Sequence, residues 1–199
     1  MSIDKPWEKD FDNLLSELHA HWPSGTTTVG KEVDQAGASS SIWQYPRFVV
    51  ELHGLRYVIS IAEFPIGSAD ILDSTDNVEY LRIEAVSDLN LSLTLRHEGF
   101  YDRFRKKFLF AYEYQTGVAD FDRNYLIEAQ TDVDRRLVST GEFQRFVREL
   151  EPFANLALLK HTAGWSQELH GRNQLQFEVV TERVRQFSDC VVYARSFQR

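Results

Sequence analysis

Four aspartates in the second half of the sequence could supply carboxylate oxygens to Mg²⁺ or Ca²⁺. Asp120 and Asp122 stand two residues apart, and Asp132 and Asp134 repeat that spacing. On a strand, residues two apart share a face, as a pair of metal ligands requires. The alternative is a turn in which aspartates cap backbone N–H groups and Phe121 anchors the loop. Because Asp is a preferred turn residue, the sequence favours the turn. We therefore assign no metal ligand, no cofactor and no catalytic residue.

A basic cluster is the candidate binding site, and it consists of Arg103, Arg105, Lys106 and Lys107. Aromatic residues four apart predict a short helix that turns these cations outward, at Phe100, Phe104 and Phe108. Such a patch could contact phosphates, an anionic lipid surface or an acidic partner. A solvated helix face is the alternative, and it is the commoner role of such a charge run.

Two other patterns resemble known sites only in part. Gly25 to Lys31 has the spacing of a phosphate-binding loop, but Glu32 stands where Ser or Thr should bind Mg²⁺. That loop also needs a preceding strand, and here a helix is predicted instead. Cys190, the only cysteine, lies in a predicted amphipathic helix, which favours a buried, inert thiol over a cysteine–histidine dyad. His97 has no ligand-spaced partner in the sequence.

Apolar periodicity predicts the elements that must position these residues. Spacings of three and four predict a helix over residues 6–22, with one face formed by Trp7, Phe11, Leu14, Leu15, Leu18 and Trp22. Alternating runs on either side of His53-Gly54 predict a hairpin with a two-residue turn. Its pairs would be Leu52 with Leu55, Val50 with Tyr57, and Phe48 with Ile59. All these apolar side chains then lie on one face.

A second hairpin is predicted around residues 86–88. A three-residue loop would pair Ala85 with Leu89, Ile83 with Leu91, and Leu81 with Leu93. Four meandering strands with one polar face indicate an antiparallel sheet that is covered on one side.

The rest of the chain mixes strands and helices. Tyr125–Ala129 predicts a strand, and Ser139 with Glu142 forms a capping box that opens a helix ending near Leu150. Alternation predicts a further strand at Leu175, Phe177 and Val179. A final helix begins near Thr181, with a buried stripe at Val184, Phe187, Val191 and Ala194. The predicted fold is a single α+β domain over residues 1–199. It has a largely antiparallel meandering sheet, amphipathic helices packed on one face, and helices at both termini.

Composition and charge narrow the class of protein. Hydrophobic residues make up 43% of the chain and aromatic residues 13%, which is enough for a full, rigid core. The formal net charge of −8 argues against broad affinity for nucleic acid or anionic membranes. We see no signal sequence and no apolar run long enough to span a bilayer. Together with the single cysteine, these features predict a protein of the reducing cytoplasm.

One stretch of the sequence resembles a known group of domains. Thr116-Gly117 precedes Asp120-Phe121-Asp122-Arg123, which a predicted strand and a helix follow. This order resembles uncharacterised bacterial α+β domains with a T-G-D-x-x-F-D core, although Val118 occupies the usual place of the first aspartate. The resemblance spans residues 48–197 and implies an α+β fold, with no activity to carry over.

The leading functional hypothesis is a non-catalytic, cytosolic protein-interaction module, of the kind that regulatory or immunity-type partner proteins represent. It rests on a compact acidic domain without an assembled catalytic set. One alternative is a metal-dependent hydrolase that uses Asp120 and Asp122. The other is a module that contacts phosphate or anionic lipid through the basic cluster at 103–107.

Overall fold

The computed structural model describes residues 6–29, 46–65, 77–97, 113–170 and 172–198. These residues form an antiparallel α+β fold with helices at both ends, which confirms the predicted fold class. The helices are α1 (Pro6–His21), α2 (Ala119–Asn124), α3 (Asp132–Val138), α4 (Gly141–Glu149) and α5 (Phe177–Phe197), with a 3₁₀ turn at Arg172–Leu175. The strands are β1 (Thr26–Val29), β2 (Pro46–Leu52), β3 (Leu55–Pro65), β4 (Asn77–Val86), β5 (Ser92–His97), β6 (Tyr125–Ala129), β7 (Asn155–Leu159) and β8 (Thr162–Glu168).

The chain divides into two compact units. The first unit comprises residues 1–83 and 168–182, and the second comprises residues 84–167 and 183–199. Strands follow the order β1-β2-β3-β4 in the first unit and β8-β7-β5-β6 in the second. None of the helices in the described part of the chain is long and apolar enough to cross a membrane. A single domain over residues 1–199 stays a prediction.

The first unit contains the predicted hairpin with the predicted register. Leu52 pairs with Leu55, Val50 with Tyr57, and Phe48 with Ile59. Both turn residues, His53 and Gly54, have positive φ angles of 52° and 71°, as a type I′ turn requires. The apolar side of the hairpin is buried, as are the side chains that α1 contributes, namely Trp7, Phe11, Leu14, Leu15 and Leu18.

The second predicted hairpin is wrong, although the predicted buried face is right. β5 pairs with β6 on one side and with β7 on the other. Residues 87–91 instead run beside the turn between β7 and β8, where Ser87 N donates to His161 O and His161 N donates to Leu89 O. The alternating apolar residues are nevertheless all buried, at Leu81, Ile83, Ala85, Leu89, Leu91, Leu93 and Leu95.

The C-terminal predictions are partly confirmed. The strand at Tyr125–Ala129 is β6, and the helix ending near Leu150 is α4. However, Thr140 caps α4 in place of Ser139, because the Ser139 hydroxyl donates back to Arg135 O. The strand predicted from Leu175 to Val179 is wrong, since the 3₁₀ turn and the start of α5 occupy this stretch. The predicted stripe of α5 is buried. The helix predicted at Phe100–Phe108 lies outside the described residues.

Candidate functional site

Asp120 and Asp122 do not form the pair that a strand would provide. They lie on the short helix α2, where residues two apart point about 200° apart around the axis. The Asp122 carboxylate accepts hydrogen bonds from Thr116 N at 2.8 Å, Thr116 Oγ1 at 2.8 Å and Gly117 N at 2.9 Å. Asp120 lies 3.8 Å from Arg148 instead. Asp122 therefore closes the Thr116-Gly117 turn, as the turn interpretation expected.

Replacing Asp122 tests this role. We expect Asp122→Ala to lower the free energy of unfolding by about 2 kcal/mol, because two backbone N–H groups and a hydroxyl lose a charged acceptor. Asp120→Ala is the matched control, since its exposed ion pair with Arg148 contributes little. Urea denaturation measures both. Millimolar Mg²⁺ should leave the melting temperature unchanged; a rise that Asp122→Ala abolishes would instead support metal binding.

The second aspartate pair, Asp132 and Asp134, lies on α3, and its two members have different roles. Asp134 is fully buried, and its carboxylate accepts from Thr131 N at 2.7 Å and from Ser92 N at 3.1 Å. The Thr131 side chain in turn accepts from Asp134 N, which completes a capping box at the start of α3. Asp132 is exposed and pairs with Arg135 at 3.4 Å. Within the described ranges, no three His, Cys, Asp or Glu side chains are grouped to hold a metal ion.

The predicted basic cluster of Arg103, Arg105, Lys106 and Lys107 lies outside the described residues. Positive charge is, however, concentrated at a second place that the sequence analysis missed. An open depression of about 610 Å³ is lined by Tyr114, Asp132, Arg135, Arg136 and Ser139. We call it the arginine depression.

Local hydrogen bonds fix the walls of the arginine depression. Tyr114 N donates to Ile127 O of β6 at 2.9 Å, which anchors Tyr114 to the strand. Across the depression, Asp134 and the buried Leu137 and Val138 hold α3 in place. The guanidinium of Arg135 lies 6.0 Å from the centre of the Tyr114 ring, within the range of a cation–π contact. The two walls therefore present a phenol ring and a cation to the same space.

The two hydroxyl groups of the depression have defined donor and acceptor roles. Ser139 Oγ donates its only proton to Arg135 O at 2.8 Å. The Tyr114 hydroxyl, 3.0 Å from Ser139 Oγ, must therefore be the donor in the bond between them. Both hydroxyl protons are thus used within the protein, and only acceptor lone pairs face a ligand. The donors that remain for an anion are the two guanidinium groups.

The arginine depression is locally cationic on an acidic chain. Two guanidinium groups face one carboxylate, that of Asp132, whereas the whole chain carries a formal charge of −8. The Asp132–Arg135 pair is exposed, with the Asp132 side chain 90% accessible, so a competing carboxylate can replace it at small cost. Arg136 forms no ion pair in the described part of the chain. Its side chain is available to a ligand.

A further cluster in the second unit joins His97, Tyr125 and Glu151. Tyr125 Oη donates to Glu151 Oε1, and His97 Nε2 lies 3.7 Å from the same oxygen. The Tyr125 ring stacks on Phe153 with an interplanar angle of 4°. Because His97 and Glu151 lie 54 positions apart, sequence spacing did not connect them. The cluster orients His97. Because Tyr125 is buried in an aromatic stack, we assign a structural role to the cluster.

Cys190 and Gly25 have structural roles. Burial raises the pKa of the Cys190 thiol to about 12, with a smaller contribution from Asp189. The thiolate is the nucleophilic form, so a protonated, buried Cys190 is unreactive near neutral pH. Gly25 precedes β1, and any Cβ there would overlap the buried ring of Phe48. Close packing accounts for this glycine without a bound phosphate.

No protein-family model matches the sequence, and comparison with curated proteins finds no match. The resemblance to domains with a T-G-D-x-x-F-D core stays a prediction. Three residues that carry it, Thr116, Gly117 and Asp122, are those that form the turn closed by Asp122.

Proposed function

We propose that the protein is a cytoplasmic protein-interaction module that binds an acidic segment of a partner protein in the arginine depression. The observation that carries the proposal is the pair of accessible guanidinium groups, Arg135 and Arg136, in a concave surface next to Tyr114. Because both hydroxyl protons are already used, the depression offers cationic donors and neutral acceptors. A peptide bearing a carboxylate and backbone N–H groups complements both.

The residue types support a protein ligand. Arginine and tyrosine are enriched at protein interfaces and among the residues that dominate binding energy. A guanidinium binds a carboxylate through two parallel hydrogen bonds, which defines direction as well as charge. The Tyr114 ring holds Arg135 at one wall, so part of the ordering cost of binding is already met in the free protein.

The two alternative functions have weaker support. A hydrolase that uses Asp120 and Asp122 would need oxygens that are free for a metal, and Asp122 already accepts three hydrogen bonds. A module that contacts phosphate or lipid through residues 103–107 stays a hypothesis, since these residues lie outside the described ranges. We expect no nucleic-acid ligand, given the net charge of −8.

A charge reversal at Arg136 tests the proposal. The probe is a fluorescein-labelled peptide of six glutamates, and fluorescence anisotropy measures its affinity. We expect Arg136→Glu to weaken binding by about tenfold or more, because attraction becomes repulsion at the depression. The affinity of the unaltered protein should fall as salt rises. Arg136 is exposed and lacks an ion pair within the described residues, so folding should be unaffected.

Arg185→Glu is the matched control. It makes the same charge change on an exposed arginine of α5 that pairs with Asp189 at 3.1 Å. We expect its affinity for the glutamate peptide to stay within about twofold of the unaltered protein, because only the long-range field changes there. An equal loss of affinity in Arg136→Glu and Arg185→Glu would show that only net charge matters, and it would contradict the proposal. Equal affinity for a six-glutamine peptide would contradict it as well.

A further inference from the structure

Among the residues that the structure describes, strand β1 has a partner strand on one side only. Within the described residues it lies at the end of the strand order and pairs only with β2, from Thr26 opposite Val49 to Val29 opposite Pro46. All four of its residues are exposed, and Val29 is 71% accessible. In an antiparallel strand, alternate residues direct their N–H and C=O groups to opposite sides. Two residues of β1 therefore direct these groups away from β2.

Apart from its short length of four residues, β1 carries none of the sequence devices that usually protect a strand edge. Thr26–Val29 contains no charge and no proline, the residues that commonly prevent strand addition. The terminal strand of the second unit, β6, differs from β1 because its edge is partly occupied. Tyr114 N donates a hydrogen bond to Ile127 O on β6. Threonine and valine also favour extended backbone, so the sequence of β1 suits strand pairing.

The chain holds β1 in place before any partner arrives. Gly25 N donates to Trp22 O at 2.9 Å, which fixes the turn from α1 into the strand. The imidazole of His19 lies 2.7 Å from Thr27 Oγ1 and packs edge-on against Phe48. A template ordered in this way loses little conformational entropy when a strand is added.

We infer that β1 accepts an extended segment of a partner protein, without net charge, as an additional antiparallel strand. Backbone hydrogen bonds would supply the affinity, and the threonine side chains would select β-branched neighbours. A second copy of this chain fits the edge less well, because stable dimers bury roughly 1,200–2,000 Å² around an apolar centre. Val29 is the one exposed large hydrophobic residue among the described residues of the first unit. A flexible segment needs no such centre.

The probe is a free peptide that copies β2, residues Pro46–Leu52, which is the antiparallel partner that β1 already accepts. Its Arg47 and Glu51 charges cancel, so it is not drawn to the acidic protein by net charge. Amide hydrogen exchange, followed by NMR, gives the readout. At millimolar peptide we expect exchange of the outward-facing β1 amides to slow by about tenfold, because each gains a hydrogen-bond acceptor.

Val29→Lys should remove this protection, because a lysine on the edge resists strand addition. Val86→Lys, at an exposed position at the end of β4, is the matched control and should keep it. Arg136→Glu should also keep it, which separates this inference from the arginine depression. Unchanged exchange at β1 in saturating peptide, equal protection in Val29→Lys, or protection at β3 in place of β1 would each overturn the inference.

Discussion

Gly25→Ala is expected to lower the free energy of unfolding of the protein by about 3 kcal/mol, at the upper end of the range for an overpacked core. A Cβ at this position would overlap three atoms of the Phe48 ring. The ring cannot move aside easily, because it is fully buried, stacks on Trp22 and contacts His19 edge-on. The strain therefore falls on the turn that leads into β1. Urea denaturation, followed by tryptophan fluorescence, measures the loss.

A second substitution identifies the cause of that loss. In the double variant Gly25→Ala, Phe48→Leu, the ring is gone, so the new methyl group has space. We expect the double variant to be more stable than the sum of the single changes predicts, by about 1 kcal/mol or more. Gly164→Ala is the matched control, since a Cβ there meets nothing within 4 Å. Strict additivity, or an equal loss in Gly164→Ala, would contradict the packing explanation.

Asp134→Ala should also lower the free energy of unfolding by about 3 kcal/mol, because charge-assisted hydrogen bonds and a helix cap are lost together. Its carboxylate holds Thr131 N at the start of α3 and Ser92 N at the start of β5. Alanine leaves both donors without this acceptor. Because α3 also carries Arg135 and Arg136, binding of the glutamate peptide should weaken in the same variant.

Two comparisons separate the role of Asp134 from a general effect of charge. Asp134→Asn keeps one acceptor oxygen, so its free energy of unfolding should lie between those of the unaltered protein and Asp134→Ala. Asp132→Ala removes an exposed aspartate from the same helix, and its stability should stay within about 0.5 kcal/mol of the unaltered protein. If Asp134→Ala proved as stable as Asp132→Ala, the capping box would not anchor α3.

Sequence reasoning succeeded where local geometry determines the partner. In the β2–β3 hairpin, His53-Gly54 leaves a single turn length, and the alternation then fixes the pairs. For β4 and β5, the sequence predicted the buried face correctly and the partner strand wrongly. Leu81 to Leu95 are buried as predicted, but β5 takes β6 and β7 as neighbours. Alternation specifies which side of a strand is covered, and it carries no information about a partner that lies far along the chain.

Helix and strand were confused where apolar residues were few. Leu175, Phe177 and Val179 alternate by chance, and the helical stripe that includes Val180 and Val184 was the better signal. This short run satisfied a period of two that the longer context did not support.

The arginine depression was not predictable from spacing, because Tyr114 and Arg135 stand 21 positions apart and meet only in the fold. One signal was present and went unused. Thr131 followed by Asp134 has the spacing of a capping box, and it marks the helix that presents both arginines. A search for such boxes would have placed Arg135 and Arg136 in the first turns of a helix.

NMR of the arginine side chains tests the central claim most directly. Titration with the six-glutamate peptide should shift the Nε–Hε signals of Arg135 and Arg136, because their guanidinium groups would bind the carboxylates. The signals of Arg185 on α5 should stay in place. If the largest shifts fell on the arginines of α5, with those of Arg135 and Arg136 unchanged, the arginine depression would not be the binding site.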